Sequence, residues 1–536
     1  MKVLDPKIKR TMERCKRVAR DAGLNFDDDT LEYVVSNQDM IKLSPKIMIP
    51  TLYDYWVHDV EVLKGKGIYK ARPHNPYETV INTRPAISFY NVDNPDWLNT
   101  MIFYHVLGHI DFFQNNRSFA NTWDDDFCGK SLANKRLIEN LRGEHGRWVD
   151  YTIEFARNMD NLVNYSGALG EINNPKEISL PPRLHFYFNK FMKELKLSPK
   201  GVSEELNRYR AIEKRFPKEV ENLFLEKVVK EHPGFGRAFN DFKTKEKNPA
   251  DLMEFVMGNS PFLNIKNNAW MKDVIEVVRE TSLYFQPQIR TKIFNEGWAT
   301  YWHTELFKKD PALRSHQIDF AIMQSGVASL SRVGLNPYAV GWRMVKYAKE
   351  RADRGLDTKE FKQLIKDQDR QAFDLKTGNG TDKIFELRHV LDDYNLIDSL
   401  VDQDFVNKHN LFVVGRRANY ERRTWQYFVQ SRNAEDYKQM LLDQLYHPPH
   451  ITYSVSGNNK LLLKHEFDGK QLVESQIANT MKGISYLWDG EVRLETTRLV
   501  RESEGGPVVN IPHYYITRGR EVLKRPIGNG EWKRIA

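Results

Sequence analysis

The segment "WLNTMIFYHVLGHIDFF", residues 97–113, places the strictest condition on how this chain can fold. It reads as a buried helix, yet His105 and His109 stand four apart within it. At 100° per residue, positions i and i+4 differ by about 40° in direction, so both imidazoles leave the same helix face. Polar rings on an apolar helix are costly to bury unless each finds a partner. Any fold for this chain must therefore bring something to meet them. This spacing is also the one by which a single helix offers two nitrogen ligands to one metal ion.

Two histidines do not complete a metal site, because zinc takes three protein ligands when catalytic and four when structural. The segment that best supplies the rest is "NEGWATYWH". Glu296 and His303 are seven apart there and differ by only about 20° in direction on a largely aromatic helix. The expected site is a divalent ion, zinc first, held between two helices by His105, His109, Glu296 and His303. Asp111 lies about 200° around the helix from His109, so it is expected to pair with an arginine or cap a helix end. Phe112 falls on the histidine face as packing. Asp150 and Glu154 form a second i, i+4 pair, which offers a further ligand, a second metal or a general base. The plainer reading leaves that pair in solvent, with Arg147 and Arg157 at helix-pairing distance. The zinc-protease helix H-E-x-x-H has its water-activating Glu beside the first His; here that position is Val106. A base has to come from another element, and a protease assignment by motif fails.

The 536 residues are enough for more than one domain. Periodicity gives a mainly α chain: a large helical domain, zincin-like or bundle-like, over 1–430, and a smaller α+β domain over 431–536. Helices are expected over 6–23, over "PTLYDYWVHDVEVLKGK", over 98–113, over 130–164 and through 267–350. Short strands are expected at "TVIN" and "AISFY". Strand-like runs follow from about residue 405: "NLFVVGRR", "HITYSV", "KLLLKHEF", "EVRLETTRL" and "PVVNIPHYYITR". A helical insert, "LVESQIANTMKGISYLW", lies among them. The apolar fraction of 40% with 28% charged residues, no apolar run near ~20 residues and a charged first segment give the expectation of a cytoplasmic protein. Two cysteines, Cys15 and Cys128, fit a reducing compartment and exclude a disulfide framework. The net charge of +8 is mild for this length, and no nucleic-acid partner is expected. "GRRANYERRTWQYF" interleaves arginines with aromatics as single-strand binders do. Glu421 interrupts it, and it reads better as a solvated helix face packing its aromatics.

At the two histidine-bearing segments the chain resembles a known family. "HVLGHIDFFQNN" is similar to the H-V-x-x-H-x-D-F-F-x-N-N segment of the SpoVR family (stage V sporulation protein R). "YFQPQIRTKIFNEGWATYWH" is similar to its P-Q-x-x-T-K-I-x-N-E-G-W-A-x-[FY]-W-H segment. "ETVINTRPAISFY", "NPYAVGWRM", "DKIFELRHVLDDYNLID" and "FVVGRR" resemble further blocks, in family order, across roughly residues 50–490. The resemblance implies that His105, His109, Asp111, Asn115, Asn116, Asn295, Glu296 and His303 are the characteristic polar positions. Asp150 and Glu154 are its loose match to an acidic pair after a glycine. It also implies a link to spore cortex formation, or, in bacteria that make no spores, to a stress-response serine kinase. The chemistry stays open between two readings. One is a metal-dependent hydrolase, with peptidoglycan-derived amides as substrate class, Glu296 as a ligand and Glu154 or Asp150 as base. The other is a non-catalytic regulator or scaffold whose His/Glu cluster is a structural metal site or a hydrogen-bonded polar core, docking on the kinase or the cortex machinery. A di-iron carboxylate oxidase ranks lower, because neither helix carries Glu-x-x-His.

Overall fold

The computed structural model describes residues 5–27, 29–36, 79–123, 127–163, 181–192, 195, 199–216, 219–239, 251–331, 334–419, 423–445, 448–457, 459–501, 508–527 and 531–535. The amphipathic stretch at 50–66 lies outside them. The chain is mainly helical, with a sheet region at its C-terminal end. No helix of the described residues is long and apolar enough to cross a membrane.

Helix α1 (Pro6–Asp21) starts where Asp5 accepts a hydrogen bond from the Lys7 amide and Pro6 occupies the first turn. It buries Met12, Cys15 and Ala19. Strands β1 (Thr30–Val35), β2 (Thr79–Ile81) and β3 (Ala86–Asn91) form a small sheet of order β1-β3-β2. The segments "TVIN" and "AISFY" supply β2 and β3 as expected. β1, paired parallel to β3, was hidden in the sequence. Its Glu32 points inward and is buried against Lys16 at 3.4 Å and Lys9 at 3.1 Å, which spoils the apolar alternation.

Helix α2 (Asp96–Asn115) carries the two histidines, and every residue from Thr100 to Phe113 is buried. A helix that is apolar all round belongs at the centre of a fold, and α2 is there. The single helix expected over 130–164 is instead two, α3 (Phe127–His145) and α4 (Trp148–Arg157). Gly146 breaks it at φ 57°, a left-handed conformation open to glycine. Helices α5 (Trp270–Arg290) and α6 (Lys292–Lys309) follow, then α7 (Gln317–Val327) and α8 (Pro337–Arg354). Asn336 caps α8 through the Ala339 amide, with Pro337 in its first turn. Helices α9 (Gly380–Val390) and α10 (Asp393–Leu400) complete the surround of α6.

Glycines set how closely these helices cross. A Cβ on Gly108 would sit 2.8 Å from the Ala299 Cα, so α2 and α6 touch backbone to backbone. A Cβ on Gly297 or Gly341 would overlap the other's helix outright, which fixes α6 against α8. The resulting core holds Tyr104, Phe112 and Trp298 essentially without exposure.

The arginine-rich segment corrects an expectation. It is a hairpin, β4 (Val413–Asn419) with β5 (Thr424–Ser431), and no helix face. Trp425 and Tyr427 are 56% and 52% exposed, so these aromatics are not packed away. Helix α11 (Ala434–Gln444) then returns Tyr437 and Leu441 to the helical core. A six-stranded sheet follows: β6 (Ile451–Ser456), β7 (Lys460–His465), β8 (Val492–Arg501), β9 (Val508–Arg518), β10 (Glu521–Pro526) and β11 (Lys533–Arg534), in spatial order β11-β10-β9-β8-β7-β6. Helix α12 (Glu474–Trp488) connects β7 to the parallel β8. Packing thus changes between α11 and β6, one helix beyond residue 430. The sheet is also not self-contained. Its core residues Leu461, Trp488 and Tyr515 share a cluster with Ile153 of α4 and Val274 of α5.

Candidate metal centre

Three side chains from α2 and α6 converge. His105 Nε2 lies 3.7 Å and His109 Nε2 3.6 Å from Glu296 Oε2. One ligand atom from each of the three falls within 4.8 Å of the other two. Ligands held tetrahedrally at ~2.0–2.1 Å from zinc lie roughly 3.3 Å apart, so only small side-chain shifts separate this set from a coordination shell. His105 and His109 are 0% and 3% exposed, whereas the Glu296 side chain keeps 17% of its surface. The donor set is thus walled by protein on the α2 side and reached past the carboxylate.

Local structure aims each group. His109 Nδ1 lies 2.9 Å from Asn295 Oδ1. An amide oxygen only accepts, so Nδ1 carries the proton and Nε2 presents its lone pair to Glu296. His105 is set by a longer row. Its Nδ1 is 2.8 Å from His303 Nδ1, and His303 Nε2 is 2.8 Å from Gln324 Oε1 on α7. With the Gln324 carbonyl accepting from His303 Nε2–H, His303 Nδ1 is left to accept from His105 Nδ1–H. His105 Nε2 then also presents a lone pair. Ligating histidines characteristically donate their other ring nitrogen to such an outer partner. Tyr338 stacks on His105 with ring centroids 6.0 Å apart, and Phe113 on His109 at the same distance.

His303 therefore stands one layer behind its expected place. Direction around a helix put it in line with Glu296, but seven residues also advance about 10.5 Å along the axis. That is too far for both to reach one ion. Asp150 and Glu154 belong elsewhere too. Asp150 is held by Arg142 at 2.6 Å, and the Glu154 side chain is 64% exposed with Arg157 at 4.0 Å. Neither is among the grouped ligand atoms.

Asp111 behaves as helix geometry requires. It turns away from the triad, accepts from Trp298 Nε1 at 2.8 Å and the Asn25 amide at 2.7 Å, and faces Arg388 at 3.6 Å. Burial pushes its carboxyl up to about 6 against the pull of those partners. Sequence reasoning missed Asp393. This fully buried carboxylate accepts from the Ile293 and Phe294 amides at 2.9 and 2.8 Å. It caps α6 from another helix, where Thr291 provides no side-chain cap. It thereby fixes the turn that carries Asn295 and Glu296. Burial raises its carboxyl to about 8. The only sequence signal for it was its place in "VLDDYNLID".

A family model described as SpoVR like protein matches residues 4–448, most of the chain and both helices of the triad. The chain belongs to the SpoVR family. The uncharacterized protein YcgB of Escherichia coli (strain K12) is 25% identical over 343 residues. That match covers 61% of this chain and 60% of the relative, less than two thirds of its length. No solved structure matches. Of the polar positions expected from SpoVR resemblance, His105, His109 and Glu296 form the triad, and Asn295 and His303 orient it. Asn115 and Asn116 instead tie the end of α2. Asn115 donates to the Asp111 carbonyl, and Asn116 donates to the carbonyls of Arg388 and Leu391 at 2.7 and 2.8 Å. The SpoVR match ends at 448, ahead of β6.

Proposed function

We propose that this SpoVR-family protein is a metalloenzyme of the hydrolase class, with a divalent ion, zinc first, bound by His105, His109 and Glu296. The observation that carries the reading is the meeting of two imidazole lone pairs and one carboxylate from two buried helices. Two His and one Glu are a donor set of catalytic zinc sites, and three protein ligands leave a fourth position for water or substrate. The zincin-like character expected of the helical domain enters here, through this donor set on paired helices. When bound, such an ion polarises a carbonyl and lowers the pKa of water to ~7. The protein's share is to hold both Nε2 atoms unprotonated through Asn295 and the His303–Gln324 row, and to wall the site on the α2 side. Glu296 is the exposed member and stands where a substrate arrives. Family membership supports sporulation as the setting; peptidoglycan-derived amides as substrate class, a stress-response role and a serine kinase as partner are part of the proposal, taken from what the resemblance implies.

A second reading is supported by a specific observation. Asp150 and Glu154, the two carboxylates read as candidate bases, are engaged elsewhere, and position 106 is valine where the zinc-protease motif has its water-activating Glu. A regulator or scaffold built round a structural metal needs no base.

The deciding experiment has two stages. Elemental analysis of the purified protein is expected to give one equivalent of metal, lost in His105→Ala; unchanged metal in that variant ends both metal readings. Release of amine from muropeptide amides is then expected to stop with chelator and in Glu296→Gln. A metal-loaded protein without amidase activity whose Glu296→Gln variant still supports the cell favours the scaffold.

A further inference from the structure

A second concave site lies away from the triad, where the β4–β5 hairpin meets α11 and the start of α8. Its volume is about 670 Å³. Small-ligand sites span roughly 300–1,000 Å³ and combine apolar walls with a few polar groups. Leu335, Val340, Leu411 and Met440 supply apolar wall here, and His409, Arg416 and Tyr437 line it as well. Neither the histidine pair nor Glu296 is part of it. Two sequence blocks that the metal centre leaves largely unexplained, "NPYAVGWRM" and "FVVGRR", converge on it.

The charge around this cavity is one-sided. Arg343, half-buried on α8, stands beside the lining residues His409 and Tyr437 without lining the cavity itself, and donates to two carbonyls, Ala328 at 3.0 Å and Ala339 at 2.8 Å. No carboxylate pairs with it among the described residues. A guanidinium withdrawn from water without a counter-charge is costly, and an anion nearby offsets that cost. Arg416 lies over the Trp425 ring at 5.0 Å, again with no carboxylate partner among the described residues. His409 faces Arg343, Lys346 and Lys408, the last ion-paired with Glu350, and burial together with those cations depresses its imidazole to about 4. Tyr437 is 6% exposed and lines the cavity, and its hydroxyl makes no hydrogen bond with a described residue.

We propose that this cavity, whose lining holds Arg416 and no carboxylate, binds a small anionic ligand with an apolar body, its charged end at Arg416 and its body against Leu335, Val340, Leu411 and Met440, with Arg343 adding positive charge from beside His409 and Tyr437. Carboxylate and phosphate share this chemistry, since a guanidinium pairs with either. The tests use the full chain. Decanoate and adenosine monophosphate serve as anionic probes, with decanol and adenosine as neutral counterparts, titrated by calorimetry. At least one anion is expected to bind, with its neutral counterpart at least tenfold weaker and Arg416→Met weakening the anion at least tenfold. Which anion binds identifies the head group. Val414→Trp, which fills the cavity from the hairpin, is expected to abolish binding in a protein that melts normally; it decides the matter if Arg416→Met does not fold. Glu296→Gln is expected to bind the anion unchanged, so this site stands or falls apart from the triad. No binding of either anion, equal binding of the neutral counterparts, or normal binding in Val414→Trp overturns the proposal. So does retention of a single-stranded oligonucleotide with no response to either small anion, which would move the role to the hairpin's open face.

Discussion

The two pairs of metal-ligating residue types four apart that the sequence singled out, on α2 and α4, end in opposite circumstances. On α2, His105 and His109 are sealed from solvent and meet a carboxylate from α6. On α4, Asp150 is gripped by an arginine and Glu154 stands in water. The spacing is the same, so spacing did not decide. The other faces did. α4 buries one stripe, Val149, Thr152, Ile153 and Ala156, and its acidic pair falls beside that stripe. α2 is covered on every side, so its polar pair must be met by protein. A paired motif becomes a site when the helix that carries it has no solvent face to retreat to.

The largest expected effect tests the close crossings that bring the triad together. Gly341→Leu drives a side chain into α6 and is expected to cost more than ~3 kcal/mol or to prevent folding. Gly143→Ala, on α3 with open space around it, is expected to gain up to ~1 kcal/mol. Thermal unfolding compares the two, and a Gly341→Leu protein that melts normally breaks the account of the crossing. Next comes the comparison itself: His105→Ala is expected to lose bound zinc and Asp150→Ala to keep it, by equilibrium dialysis. Equal loss in both would return α4 to the site. Gln324→Leu and Asn295→Leu act one layer out and are expected to weaken zinc ~10–100-fold without emptying the protein at saturating metal. An unaltered affinity in Gln324→Leu would mean that the His303 row orients nothing.

Smaller effects sharpen the picture. The His409 pKa is about 4 in the folded protein against 6.5 ordinarily. The unfolded chain therefore takes up this proton first as pH falls. The stability tied to neutral His409 is whole above about pH 6.5 and is lost as pH drops toward 4. His409→Asn is expected to flatten that limb of the acid-unfolding curve, and an unchanged curve contradicts the burial argument. Smallest is the stability cost of Asp150→Ala, within ~1 kcal/mol, as for other partly exposed ion pairs. A larger loss would show that α4 depends on its arginine clasp.

Much of this was legible before any coordinates. The two motif segments named His105, His109 and Glu296, because burying such groups on aromatic helices has few solutions. The turn away of Asp111 followed from angle alone. His303 was misplaced because angle was read without rise. Strand β4 was announced by the strand-like "NLFVVGRR", but β5 escaped because nearly every residue of it is exposed, so it shows neither a period of 2 nor one of 3.6 in hydrophobicity. Asp393 and Gln324 act across long stretches of sequence, and no local pattern announces a cap or an amide that arrives from another helix. The glycines of "HVLGH", "NEGW" and "AVGW" were in plain view, but only the crossings reveal what they exclude.

The Gln324 amide reaches further than its single contact. In its present orientation every hydrogen along the row points outward from the triad, and the centre is left rich in electron pairs. Rotating that amide by half a turn would send each hydrogen inward, hand His105 a proton facing Glu296, and leave the carboxylate satisfied without any ion. One side chain on α7, touching neither metal nor substrate, thus selects the sign of the charge the centre welcomes.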